Sequence, residues 1–164
     1  MTAAAVAVEE RVWSILDEVP DPEIPVVSVV DLGIIRGVSE TDEGVEIKVS
    51  PTYSGCPATE VIERSIVDAV EAEGIRARVV PTLSPPWTTD WISDRGRKRL
   101  LEYGIAPPPP AASKGALLAQ NKVVMCPRCG SEETELVSQF GSTPCKAHYR
   151  CLDCLEPFDQ FKCI

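Results

Sequence analysis

Cys126-Pro127-Arg128-Cys129-Gly130, answered by Cys151-Leu152-Asp153-Cys154, is the stretch on which the reading turns. Each half is a Cys-x-x-Cys turn able to aim two sulfurs at one centre, and 21 residues separate Cys129 from Cys151. Gly130 lets the backbone amides after the first pair swing toward the sulfurs. Two such knuckles clamping one tetrahedral ion through four thiolates is a common structural zinc arrangement, although this spacing runs just past the usual range. The short runs 123–125, 135–140, 149–150 and 157–161 supply strands, which describes a zinc-ribbon-like β module over 122–164. So short a segment cannot bury a core of its own, so a metal staple is expected.

The identity of the metal stays open at this level. Cys145 and Cys163 bring the module to six cysteines for a four-ligand site and are extra candidate thiol ligands. Structural Zn²⁺ on Cys126, Cys129, Cys151 and Cys154 is the preferred reading; an iron–sulfur cluster, which also takes four thiolates, could draw on a different set. His148 is the one histidine, three residues before Cys151, and reads as an exposed polar residue on a strand.

Upstream, Pro107 to Pro110 is an unbroken proline run followed by Ala111-Ala112-Ser113-Lys114-Gly115, a stiff extended linker over 106–121. Residues 1–105 then form a separate domain. A helix is expected over 3–19, stopped by Pro20, Pro22 and Pro25. Strands are expected over 26–38 and 45–50, separated by the acidic turn Glu40 to Gly44, with Asp31-Leu32-Gly33 interrupting the first run as a bulge or tight bend. A helix from Pro57 to Glu73 follows, with Val61, Ile62, Ser65, Ile66, Ala69 and Val70 as its buried stripe and Gly74 as its stop. A strand over 75–83 and a helix over 90–103 complete an α+β, α-β-β-α-β-α sandwich.

Residues 1–106 carry 19 acidic and 10 basic side chains, residues 107–164 six of each, so the whole net charge of −9 sits in the N-terminal part. Such a balance disfavours a phosphate backbone as partner. No apolar run is long enough to span a membrane, and the start, with Glu9 and Glu10, does not read as an export signal. A cytoplasmic protein is expected, and in that compartment paired Cys-x-x-Cys spacing points to metal ahead of disulfides.

Cys56 stands apart from the other thiols, immediately before Pro57 and the helix. There the unpaired amides favour a thiolate, suited to binding a metal transiently or to attack as a nucleophile; a small residue buried at a helix start is the equal alternative. Asp21-Pro22-Glu23-Ile24-Pro25 could bring the carboxylates of Asp21 and Glu23 beside that thiol, or be a rigid turn with two solvated acids. Pro85-Pro86-Trp87 reads as a turn whose aromatic packs over the sheet. Arg95, Arg97, Lys98 and Arg99 read as a solvated helix face or a patch for an acidic partner. A hydrolase reading fails: His148 lies across the linker from Cys56, and neither a glycine-rich phosphate loop nor a Gly-x-Ser-x-Gly turn is present.

These motifs together resemble known proteins. Asp21-Pro22-Glu23-Ile24-Pro25, Val30-Asp31-Leu32-Gly33-Ile34-Ile35, Thr52-Tyr53-Ser54-Gly55-Cys56-Pro57 and Pro85-Pro86-Trp87 resemble the iron–sulfur cluster assembly domain of SufT-type proteins. Adding Phe140-Gly141-Ser142-Thr143-Pro144-Cys145 and Glu156-Pro157-Phe158-Asp159-Gln160-Phe161, residues 10–164 resemble the PaaD-type accessory subunits of phenylacetyl-CoA epoxidase systems. The resemblance implies an accessory role in aerobic phenylacetate breakdown, without turnover of its own. Such a subunit would help assemble iron or iron–sulfur centres in the di-iron oxygenase or in its [2Fe–2S] flavin reductase. Cys56 would be the transfer thiol, holding iron or a cluster transiently, with Asp21 and Glu23 the next candidates. The family's first domain often self-associates, which implies a homodimer. The alternative is a structural or regulatory docking subunit of the oxygenase with no metal-transfer role.

Overall fold

The computed structural model describes residues 3–52, 55–108 and 123–162, which group into two compact units, 1–87 and 88–164. In the first, α1 (Ala3–Asp17) precedes the hairpin of β1 (Ile35–Thr41) and β2 (Gly44–Val49). Helix α2 (Thr59–Ala72) then crosses over to β3 (Ala77–Pro81). The strands lie in the order β1-β2-β3, β1 antiparallel and β3 parallel to β2. The parallel pair needs a crossover element, and α2 is that element. Val45, Ile47 and Val49 alternate inward along β2 and join Val12 and Leu16 of α1 and Ile66 and Val70 of α2 in the buried core. Val61, expected on the buried stripe, is 52% exposed; Ile66 and Val70, one turn apart, define the inner face.

Helix α2 begins at Thr59, two residues later than expected. Pro57 and Ala58 form a turn whose entry is fixed by the Thr59 amide donating to the Cys56 carbonyl at 3.2 Å. Its end follows the sequence: Gly74, at φ 77°, lets the Gly74 and Ile75 amides reach back to the carbonyls of Glu71 and Val70.

The strand expected from residue 26 is a buried loop as far as Ile34. Its backbone bonds locally, with amides of Val27, Leu32 and Gly33 donating to Ile24, Ser28 and Val30 carbonyls, and with one bridge, Pro20 to Ser28. Side-chain acceptors make this conformation competitive with a ladder. Asp21 Oδ1 accepts from the amides of Glu23 and Ile24 at 2.9 and 2.8 Å, and Asp31 Oδ2 accepts from the Ser28 amide at 3.3 Å. Ile24, Val27, Val29, Leu32 and Ile34 all bury from this loop. Trp87, buried as expected, donates through Nε1 to the Leu32 carbonyl at 2.9 Å and ties the loop's end.

The second unit opens with a 3₁₀ turn (Thr89–Trp91) and α3 (Asp94–Tyr103), capped by Ser93 Oγ accepting from the Gly96 amide at 2.9 Å. Strands β4 (Ile105–Ala106), β5 (Thr134–Ser138), β6 (Lys146–Cys151) and β7 (Pro157–Phe161) form one sheet in the order β4-β7-β6-β5. β4 runs parallel to β7, Ile105 opposite Asp159; the other neighbours are antiparallel. Thus α3 and β4 group with the ribbon strands, and the units part between Trp87 and Thr88. The expected linker, 106–121, lies almost wholly outside the described residues. Ala106, Val124, Cys126, Cys151 and Phe158 make the small core, with Tyr149 stacked on Phe158 at 5.8 Å.

Candidate functional site

Four sulfurs converge at one end of the ribbon. Cys126 and Cys129 come from the turn before β5, held by the Cys126 amide on the Ser131 carbonyl and the Gly130 amide on the Cys126 carbonyl, both 2.9 Å. Cys151 ends β6, and the chain turns through Cys154 so that the Cys151 amide reaches the Glu156 carbonyl at 3.0 Å. The sulfurs of Cys126 and Cys154 lie 3.7 Å apart, those of Cys129 and Cys151 3.6 Å, and all four within 4.8 Å. A tetrahedral ion with metal–sulfur bonds of about 2.3 Å sets its ligands about 3.8 Å apart, so the thiol set fits one.

The electrostatics agree. The Cys154 amide, 3.5 Å from Cys151 Sγ, draws that thiol down to about 7. Cys154 moves up to about 12: the Glu156 amide favours its thiolate, but burial and the three neighbouring thiols oppose it more strongly. Cys129 is raised as well, an amide at Ser131 being outweighed by desolvation and by Cys151. One thiolate in the cluster discourages the next, and a divalent cation at the centre would remove that opposition.

The knuckles differ at the residue after the second cysteine. Gly130 has φ 74°; its counterpart Leu155 has φ 63° and is the single non-glycine residue at positive φ among the described residues. That conformation costs an L-residue about 1–2 kcal/mol.

In the first unit, Cys56 is half-buried just ahead of α2. It lines a pocket of about 20 Å³ with Asp21, Ile34, Val49, Thr52, Thr59 and Ile62. The fold therefore brings Asp21 and Cys56 to one place. Asp21 is buried and its Oδ1 is committed to the two loop amides; Glu23 is half-buried and outside that lining. Asp31, expected to interrupt the apolar run but not a candidate site residue, is fully buried and bonded to Ser28 through both its amide and its carboxylate. Ser50, adjoining the pocket's Val49 and Pro51, is buried, and its hydroxyl has no partner among the described residues.

Cys145 is buried, 3.0 Å from Thr143 Oγ1, and is not among the four converging thiols; Cys163 lies outside the described residues. His148 sits on β6 and bonds Asp159 Oδ1 through Nδ1 at 3.2 Å, away from the cluster. Asp159 also takes Lys146 Nζ at 3.3 Å and the Ser142 hydroxyl at 3.1 Å. Burial pushes the Asp159 carboxyl up, but the His148 and Lys146 bonds outweigh it and hold it below its ordinary value. On α3, Arg97 donates to the carbonyls of Thr89 and Pro108, and Lys98 lies 3.8 Å from Glu102.

Fold and thiol pattern define a two-part protein, an iron–sulfur-assembly-type α+β domain followed by a four-cysteine ribbon. Residues 9–79 match the family described as iron-sulfur cluster assembly protein, and residues 110–162 the PaaD zinc beta ribbon domain. The chain is 50% identical over 155 residues to an Escherichia coli K12 protein provisionally named as the D component of 1,2-phenylacetyl-CoA epoxidase, covering 94% of this chain and 92% of that one. It belongs to that PaaD-type family. The chain is also 30% identical over 92 residues to the Fe-S protein maturation auxiliary factor YitW of Bacillus subtilis, covering 53% of this chain and 87% of that one. A Bacillus anthracis structure titled a domain of unknown function, DUF59, shares the fold, with TM-score 0.55 at 24% identity over 59% of this chain and 94% of that one. No helix among the described residues is long and apolar enough to cross a membrane.

Proposed function

We propose that this chain is an accessory subunit of a cytoplasmic phenylacetyl-CoA epoxidase system, helping to mature iron or iron–sulfur centres in the di-iron oxygenase or its [2Fe–2S] flavin reductase. It has no turnover of its own. Cys126, Cys129, Cys151 and Cys154 hold a structural zinc that lets the ribbon fold. Cys56 carries the cargo. The observation behind this reading is that Cys56 and the buried Asp21 line one pocket at the entry to α2, in a domain whose relatives include a protein named as a maturation factor.

Transfer on this reading is ligand exchange. Iron, alone or in a cluster, is held by the Cys56 thiolate; a ligand of the client displaces that sulfur, the metal keeps its oxidation state, and Cys56 takes up a proton. Asp21 shapes the pocket from its position in the loop, and Glu23, two residues on, is the second candidate acid.

The test is to produce the oxygenase and reductase together with wild-type chain or with Cys56→Ser, then measure iron and sulfide in the purified clients. Loss of client iron with the variant, at unchanged zinc in the chain, supports the reading. Full client iron with the variant overturns it and leaves a docking subunit that handles no metal beyond its own ribbon.

A further inference from the structure

The second knuckle carries two apolar side chains that the fold leaves exposed. Leu155 is 68% exposed and Leu152 44%, both in the turn that supplies Cys151 and Cys154. Leu155 holds a left-handed backbone that glycine adopts without strain, as Gly130 does in the first knuckle. Strain kept for an exposed leucine recovers nothing from burial within its own unit. Around the pair, the Leu152 amide donates to the Glu133 carbonyl at 2.8 Å and Ser131 Oγ donates to Asp153, which draws the two turns side by side. These turns, 126–133 and 151–156, hold Glu132, Glu133, Asp153 and Glu156 against a single cation, Arg128, whose guanidinium lies 3.9 Å from Glu156.

We propose that this knuckle is a docking tip: Leu152 and Leu155 enter an apolar groove on a partner protein whose rim carries lysine and arginine. The acidic border selects that partner. It opposes a phosphate backbone or an anionic lipid surface, and a second copy meeting knuckle to knuckle would set two acidic rims against each other. The inference rests on the accessory-subunit reading for its partner, one of the remaining subunits of the epoxidase.

The experiment measures binding of the full, zinc-loaded chain to the purified remaining subunits of its own epoxidase, using wild type, Leu155→Gly, Leu152→Glu with Leu155→Glu, and Val61→Glu as an exposed apolar control in the other unit. Zinc content confirms that the knuckle variants keep a folded ribbon, and far-ultraviolet circular dichroism that Val61→Glu keeps its helices. The expected result is binding weakened about tenfold or more by both knuckle changes and left unaltered by Val61→Glu. Wild-type affinity should also fall as salt rises from about 0.05 to about 0.5 M. Knuckle variants binding within about twofold of wild type would overturn the proposal. So would a wild type that binds no subunit, or a wild-type dimer dissolved by Leu155→Gly, which would make a second copy the occupant. Cys56→Ser should bind like wild type. Failure of metal transfer with docking intact, or the reverse, therefore tells the two readings apart.

Discussion

Cys56 and the four ribbon cysteines are thiols in opposite situations. The four come from two turns and one strand end, lie within 4.8 Å of one another, and sit in or beside the small core they help to form. Cys56 is single and half-buried, and its neighbours are a carboxylate already committed to the backbone, two threonines and aliphatic carbons. A closed set of four donors suits a resident ion. One thiol in an open pocket cannot fill a metal's coordination shell and suits a visitor whose other ligands come from elsewhere. The difference lies in donor count and enclosure, and both can be altered by mutation.

The largest effect should come from the closed site. Cys151→Ser removes a buried donor from a module whose folding is coupled to metal binding, and free energies of about 10–16 kcal/mol are typical of such sites. Its zinc should fall below about a tenth of the wild-type content, and the ribbon should lose its near-ultraviolet circular dichroism. A chain that keeps both would show that the four thiols do not act as one centre. An intermediate effect is expected at the loop beside Cys56. Asp21→Ala leaves the buried Ile24 amide without its acceptor and should cost about 1–3 kcal/mol in urea unfolding, whereas Asp21→Asn retains an acceptor and should cost less than about 1 kcal/mol. If Asn restores stability but not client iron, the carboxylate's charge has a part in transfer beyond building the loop. The smallest effect on stability should be that of Cys56→Ser, within about 0.5 kcal/mol of wild type, because the thiol is half-buried and lies outside the packed core. A large loss would move Cys56 from the open class into the structural one.

The closed site is legible in the sequence because its geometry is local: Cys-x-x-Cys fixes each pair and only the meeting of the pairs depends on the fold. The helix-stop role of Gly74 is readable for the same reason. The loop over 20–34 is not. Val26, Val27, Val29 and Val30 have the composition of a strand, and what decides otherwise is the capture of backbone amides by Asp21 and Asp31. Composition cannot distinguish an apolar run buried as a ladder from one buried as a carboxylate-pinned loop. The place of α3 is equally hidden, since it depends on two residues of β4 pairing in parallel with a strand that begins at Pro157. The sequence leaves Asp21 either beside Cys56 or in a rigid turn; in the fold it lines the pocket with Cys56 while its Oδ1 pins that turn, and Glu23 stays outside the lining.

The β4–β7 pairing separates the unit of homology from the unit of excision. The ribbon family begins at residue 110, yet Ala106 lies in the ribbon's core and Ile105 and Ala106 are hydrogen-bonded along β7. A fragment started at the family boundary would leave the outer edge of β7 unpaired and one side of its core open to water. Conversely, a protease site engineered within 109–122 would sever the chain without removing that edge strand, because β4 would remain held by β7. The covalent break and the mechanical break fall in different places, and any shortened form of the ribbon should begin upstream of Ser93, where the cap of α3 starts.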